Sequence, residues 1–379
     1  MPLINLPTFA PDLLALFETL KTERVDTPVI QPAAPFLNMA GEDLRRRIFM
    51  TESETGESLC LRPEFTIPVC LRHIETATGT PKRYAYLGEV FRQHRDGANE
   101  FYQAGIEDLG TRDVASADAR AISDALTILK SLLQGRALTV TMGDQSVFEA
   151  VVAALGLPQG WQRRLIHAFG EASKLDALME RLARSESVAD LGPDVETLLA
   201  SGDEAALVAH IDGIMEATGY STNASRSPSD IARRLKEKRV LAGTSLDAAK
   251  LDALREFLSL SVSLKYAPGV LATFADRAGL KLDDAVSRFD ARVAALANTG
   301  VDLSSITWRA AFGRPLDYYT GLVFEVTVRE DHRVLAGGGR FDRMLTLLGA
   351  EENIPAVGFS LWLDRIEMVR APNMPGGSA

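Results

Sequence analysis

Apolar positions recur at three different spacings along this chain, and the changes mark its elements. From Asp12 to Leu20 they fall at Leu13, Leu14, Leu16, Phe17 and Leu20, the spacing of an amphipathic helix. A proline-punctuated stretch, TPVIQPAAPF (27–36), follows. IFMT and SLCLR then read as two short strands around the polar turn ESETGE. Ala85–Arg92 and Phe101–Leu109 read as a second pair, joined by HRDGANE into an antiparallel hairpin. Ser116–Leu133 carries Ile122, Leu126, Leu129 and Leu133 on one helical face, with Ser116 placed as a cap and Gly135 as a stop. LTVTM is one further strand.

Between about Gly143 and Gly300 the pattern becomes helical throughout, rich in Ala, Leu, Glu and Arg. STNASRS (221–227) interrupts it as a polar, mobile segment, and Ser227-Pro228-Ser229-Asp230 resembles a helix start. Strand character returns at Trp308–Phe312 and Leu322–Arg329. The run AGGGRFD follows as a tight turn leading into a helix over Phe341–Leu348; its glycine spacing is wrong for a dinucleotide fingerprint. AVGFSL is the last strand, a helix begins near Leu363, and residues 373–379 read as a disordered tail. Strand-rich ends bracketing a helical middle predict an α+β core, residues 1–142 and 300–372, interrupted by a mainly helical insertion, 143–299. The two ends should pair in a single antiparallel sheet.

Composition narrows the function classes. Of 379 residues, 46% are hydrophobic and 24% charged, the balance of a soluble globular protein. A net charge of -10 argues against a broad surface for phosphate backbones. The opening residues lack the basic start and apolar run of a signal peptide, and no apolar run is long enough to cross a bilayer. Cys60 and Cys70, set in apolar stretches, read as buried thiols of a reducing cytoplasm. The five histidines are too scattered for a metal site, and no cofactor is expected. The basic run RRLKEKR (233–239) reads as a solvated helix face.

Against that background, several polar residues stand inside apolar strands. Arg62, Glu64 and Thr66 occur in LRPEFT, Arg92 in GEVFRQ, and Gln103 with Glu107 in FYQAGIED. Strand alternation puts Gln103 and Glu107 on one face. Arg314, Asp317, Tyr318 and Tyr319 crowd GRPLDYYTG, and Arg365 stands in SLWLDRI. Any one of these could be a satisfied ion pair on a sheet rim. Together they describe a pocket for a zwitterion, because a buried charge without a partner costs several kcal/mol. Glu64 and Glu107 suit an ammonium and a donor side chain, and Arg92 suits a carboxylate.

LRPEFT, YLGEVFRQHR, FYQAGIED, RPLDYYTGLVFE, GGGRFD and PAVGFSLWLDRI resemble, in order and spacing, the class II histidyl-tRNA synthetase core. GEVFRQH looks like motif 2, PAVGFSLWLDRI like motif 3, and TPVIQPAAPF more weakly like motif 1, which lies at the dimer interface in that family. By this resemblance Glu64, Thr66, Gln103, Glu107, Arg314 and Tyr319 match histidine-contacting positions, with Tyr318 beside them and Phe341 where a tyrosine is usual. Arg92 and Arg365 match the arginines that hold the ATP phosphates. Three departures weaken the nucleotide site. His94 stands where motif 2 carries a glutamate, the following loop is shortened to RDGANE, and Trp362 replaces the small residue that makes room for adenine. The chain also ends where a synthetase would continue into an anticodon-binding domain. A synthetase-like core with histidine contacts kept and the nucleotide site altered resembles the regulatory subunits of ATP phosphoribosyltransferase. That resemblance implies a non-catalytic, cytoplasmic homodimer, joined in a larger hetero-oligomer to a short-form catalytic subunit of histidine biosynthesis. It further implies histidine as ligand, with no tRNA and no membrane. The alternative it leaves open is an active histidyl-tRNA synthetase or histidine-activating enzyme.

Overall fold

Twelve strands among the described residues carry the fold, and most come from the two ends of the chain. They are β1 (Glu23–Arg24), β2 (Ile30–Pro32), β3 (Met50–Glu52), β4 (Ser58–Leu61), β5 (Lys82–Phe91), β6 (Glu100–Leu109), β7 (Leu138–Asp144), β8 (Ser261–Ser263), β9 (Ile306–Arg309), β10 (Leu322–Val328), β11 (Asp331–Arg340) and β12 (Ala356–Trp362). The structure, a computed structural model, describes residues 6–39, 41–95, 97–184, 192–218, 227–314, 318–329 and 331–370. Asp317, nearly all of STNASRS and the 373–379 tail lie outside the described residues.

Nine strands form one sheet in the order β1-β5-β6-β12-β11-β10-β7-β9-β8, and β2-β4-β3 form a second, smaller one. The expected pairing of the two ends is present: β6 and β12 run antiparallel, with Glu107 opposite Gly358 and Gln103 opposite Trp362. The sheet is nevertheless mixed rather than purely antiparallel, because β1 joins β5 and β7 joins β9 in parallel.

Four local expectations differ from the structure. The glycine run Gly337–Gly339 lies inside β11 and not in a turn. Glycine is poor in strands by propensity, but here the packing demands it: a Cβ on Gly338 would sit 2.1 Å from the Gly358 carbonyl oxygen. The helix after it shrinks to Met344–Leu347. Asp113, not Ser116, caps the helix Val114–Leu132, its carboxylate accepting from the Ser116 amide at 3.1 Å. LRPEFT leaves the sheet at Leu61 and opens the helix Thr66–Glu75, whose proline sits in the first turn, where no amide donor is lost.

Two compact units divide the chain, 1–150 with 257–379 and 151–256. The second unit is therefore shorter than the helical stretch 143–299. Helices Ala267–Ala278 and Asp283–Asn298 belong to the first unit because Phe289, Val293 and Leu296 are buried there and Arg292 is held by acids of that unit. The 151–256 unit consists of helices such as Glu204–Thr218 and Pro228–Gly243 around Leu199, Leu207, Ile211 and Met215. Ser227 caps Pro228–Gly243, and the basic run on that helix meets acids at its surface, Arg233 with Asp230 (2.8 Å) and Lys236 with Glu204 (2.7 Å). No helix among the described residues is long and apolar enough to cross a membrane.

Behind the large sheet the helix Val114–Leu132 is fixed by a buried ionic cluster. Asp118, fully buried, takes Arg292 Nε at 2.6 Å and Arg340 Nη2 at 2.6 Å, while Arg292 also meets Asp144 and Arg340 meets Asp342 at 2.7 Å. Burial alone would lower the pKa of Arg292, but Asp144 and Asp118 reverse this and raise it. The cluster ties that helix to β7, β11 and Asp283–Asn298. Removing its central acid strands buried positive charge, so Asp118→Ala is expected to lower the unfolding free energy by about 3–5 kcal/mol. Urea unfolding followed by far-UV circular dichroism measures it; an unshifted midpoint would contradict the role assigned to Asp118.

Candidate functional site

The face of the sheet opposite the helix Val114–Leu132 holds a pocket. Alternation decides which side chains reach it. On β6, Asp108 is held by Arg120 of that helix at 2.5 Å, so Gln103, Gly105 and Glu107 point to the other face. Gly358, Ser360 and Trp362 lie opposite them on β12, and Gly337 and Gly339 are on β11. The cavity is about 110 Å3. At roughly 10–15 Å3 for one water on this measure, that is room for a small solute.

Glu64, Thr66, Arg92, Gln103, Arg314, Tyr318, Tyr319 and Trp362 all line this cavity, with Phe341 as a wall. Glu107 lies directly behind Thr66, whose hydroxyl donates to its Oε1 at 2.8 Å. Besides Glu107, two expected residues do not line it, His94 and Arg365. His94 is fixed by its backbone amide to Asn99 (2.8 Å), and its ring meets Phe101 edge-on. Arg365 donates to the Val334 carbonyl at 2.8 Å, its guanidinium 5.0 Å from the Trp362 ring centre. Asp43, Leu44 and Arg47, which the sequence alone did not suggest, complete the rim. Arg47 pairs with Asp43 at 2.8 Å, a contact readable only once the short helix Glu42–Arg45 is known.

The two acids are held differently. Glu64 caps the helix Thr66–Glu75, its carboxylate taking the amides of Thr66 (2.6 Å) and Ile67 (2.9 Å). Both oxygens are thus engaged at the positive end of a helix. Burial still pushes its pKa up, against those amide bonds and Arg92. Glu107 has less support. Among the described residues its Oε2 is buried with no hydrogen-bond partner of ordinary geometry, although the Tyr86 hydroxyl is close enough to favour its charged form, and Gln103 Oε1 and Arg314 Nε are likewise unpaired. Burial, reinforced by the charge of Glu64, raises the Glu107 pKa well above the usual carboxylate range. Buried polar atoms left unpaired cost about 1–3 kcal/mol each, so the two oxygens mark where a ligand's donors would be accepted and Arg314 Nε where an acceptor would be met.

Two arginines share the same lining. Arg92 donates to the Pro63 carbonyl at 2.7 Å, and burial brings its pKa down to about 10 even with Glu64 nearby. Arg314 lies 3.3 Å from Glu325, and its guanidinium carbon is 5.6 Å from the Trp362 ring centre. Trp362 therefore fills the space beside both Arg314 and Arg365.

Glycines make this arrangement possible. A Cβ on Gly358 would come within 1.6 Å of Glu107 Oε2, one on Gly337 within 1.5 Å of Arg314 Nη1, and one on Gly339 within 2.8 Å of the Tyr319 ring. The acid, the guanidinium and the tyrosine all lie flat on bare backbone.

Comparison with known proteins agrees with this architecture. A family model described as histidyl-tRNA synthetase matches residues 6–210 and 195–366. The fold is similar to the crystal structure of an ATP phosphoribosyltransferase regulatory subunit/histidyl-tRNA synthetase from Bacillus halodurans, with a TM-score of 0.63 and 17% identity over 97% of this chain and 81% of that one. It is also similar to histidyl-tRNA synthetase of S. aureus, with a TM-score of 0.52 and 19% identity over 95% of this chain and 67% of that one. These likenesses define a class II, histidyl-tRNA synthetase-like fold. At higher identity stand the ATP phosphoribosyltransferase regulatory subunits of Rhizobium rhizogenes, 70% identical over 98% of this chain and 100% of that relative, and of Agrobacterium fabrum, 68% over 99% and 100%. The chain belongs to the family of ATP phosphoribosyltransferase regulatory subunits.

The raised pKa of Glu107 has a consequence for stability. In the folded protein it binds a proton at pH values where the unfolded chain has released it, so stability is full below the ordinary carboxylate range and falls as pH rises through the raised value. Glu107→Gln removes that proton and is expected to flatten the decline on the alkaline side, without ligand. Unfolding midpoints from pH 5 upward test this; parallel profiles for the two proteins would refute it.

Proposed function

We propose that this chain is the non-catalytic regulatory subunit of an ATP phosphoribosyltransferase of histidine biosynthesis in the cytoplasm, required by a short-form catalytic subunit, and that its pocket binds histidine as the feedback signal. The observation that carries the ligand is the pair of buried acceptors unpaired among the described residues, Gln103 Oε1 in the pocket lining and Glu107 Oε2 just behind Thr66, with Arg92 and Arg314 also in the lining. Such acceptors suit the ammonium and imidazole donors of histidine, and the arginines suit its carboxylate. Tyr318, Tyr319 and Phe341 are flat walls for a ring.

A degenerate nucleotide site follows from the same residues. Trp362, only 7% exposed, occupies space that a base would need, and Arg365 is turned onto Trp362 and the Val334 carbonyl. The motif 1-like segment leaves Val29 and Ile30 exposed, which supports a homodimer within a larger hetero-oligomer. The net charge of -10 supports a partner that is protein rather than tRNA. The competing reading is a histidine-activating enzyme, favoured by the presence of Arg92, Arg314 and Arg365 together in one region.

Calorimetric titration decides between the two. Histidine is expected to bind and ATP not to bind, with no histidine-dependent pyrophosphate exchange above a no-enzyme control. Exchange above that control would overturn the non-catalytic reading. Glu107→Ala is expected to weaken histidine at least thirtyfold, since an unpaired buried charge costs about 2–5 kcal/mol, while Arg365→Ala changes it little. Equal histidine affinity in the wild type and Glu107→Ala would remove the pocket from the account.

A further inference from the structure

Beneath the pocket three flat groups are stacked. The Arg62 guanidinium lies 4.0 Å from the centre of the Phe65 ring, and Phe65 stacks on Tyr86 with ring centres 4.5 Å apart and planes 12° from parallel. All three side chains are buried, and glycines admit them: a Cβ on Gly88 would meet Phe65 at 2.9 Å and Arg62 at 3.0 Å, and one on Gly105 would meet the Tyr86 hydroxyl at 2.3 Å.

One end of the stack is at the pocket. The Tyr86 hydroxyl is 2.8 Å from Ser360 Oγ, which lines the cavity, and Phe65 stands between Glu64 and Thr66, whose amide donates to Glu64 and whose hydroxyl donates to Glu107. The other end is at the small sheet. Arg62 donates through Nη1 to the carbonyls of Thr27 (2.5 Å) and Pro28 (3.3 Å), and its own amide donates to Val29 at 2.8 Å. Through Nη2 it also holds the Glu89 carbonyl of β5 at 2.8 Å. Arg62 thus spends its donors on backbone of two separate segments, a task suited to the planar five-donor fork of arginine. Beyond Thr27 and Pro28 come Val29 and Ile30, 38% and 55% exposed, and across the small sheet Met50, 49% exposed.

We propose that Arg62, through the Arg62–Phe65–Tyr86 stack, is the positioning residue that couples the amino-acid pocket to the exposed small sheet, so that filling the pocket orders residues 27–32. Arg62 does not touch the ligand. It sets Glu64 and the start of the helix Thr66–Glu75 against the strand that leads out to the surface. The signalling half of this inference rests on the histidine reading above; the positioning half does not.

Amide hydrogen exchange on the full chain, with and without histidine, tests both halves, using Arg62→Met and the charge-retaining Arg62→Lys. Without ligand, Arg62→Met is expected to speed exchange at the Thr66 and Ile67 amides at least tenfold, while amides of the distant helix Val114–Leu132 stay within twofold. With histidine, residues 27–32 gain protection in the wild type and none in Arg62→Met, whose histidine affinity falls about tenfold; Arg62→Lys recovers part of both effects. Uniform loosening of both helices in Arg62→Met, or wild-type histidine affinity in the folded variant, would overturn the coupling. A wild-type protein that binds histidine without protecting 27–32 would overturn it as well. If the wild type binds no histidine, selective loosening at Thr66 and Ile67 still supports the positioning role, and it is the histidine reading that falls.

Discussion

The constraint on which this structure depends is a patch of sheet without side chains. Gly105, Gly337, Gly339 and Gly358 leave the centre of the pocket-facing sheet as bare backbone, and Glu107, Arg314, Tyr86 and Tyr319 occupy the space a Cβ would fill. Glycine weakens a strand through its entropy and its missing side chain. Here that weakness is offset by the layers on either side: the buried cluster of Asp118, Arg292 and Arg340 behind the sheet, and the Phe65–Tyr86 stack in front of it. A buried carboxyl group with one oxygen unpaired among the described residues persists in such a scaffold because the packing around it is fixed.

Charge is divided across the pocket by secondary structure rather than by direct pairing. Glu64 faces a helix N-terminus, Glu107 has only the hydroxyl of Thr66 and proximity to Tyr86, and Arg92 leans on a carbonyl. Among the described residues, no salt bridge joins these three. Trp362 packs beside Arg314 and Arg365, its ring centre 5.6 Å and 5.0 Å from their guanidinium carbons.

Much of this was legible in the sequence, and the misses have physical causes. Polar residues inside apolar strands pointed to Gln103 and Glu107, because strand period fixes their common face whatever the fold. The hairpin of β5 and β6 and the helix Val114–Leu132 follow from periodicity alone. The glycine run was misread as a turn because its reason is tertiary: neighbouring backbone and the Arg314 side chain approach too closely for any Cβ. The helix Thr66–Glu75 was invisible because its cap is a glutamate placed before the N-terminal residue, not a serine, threonine or aspartate at the capping position. The extent of the 151–256 unit could not be read from composition, since the helices on either side of its boundary share the same alphabet and only packing assigns them. His94 and Arg365, placed by resemblance in an altered nucleotide site, lie outside the lining of this cavity.

The central claim is that an amino-acid zwitterion spans the pocket between Glu107 and the arginines. The crystal structure of the full chain soaked with histidine tests it most directly. The account expects the ligand's nitrogen donors about 3 Å from Glu107 Oε2 and Gln103 Oε1, with its carboxylate at Arg92 or Arg314. Histidine bound elsewhere on the chain, with those acceptors unchanged, would contradict it.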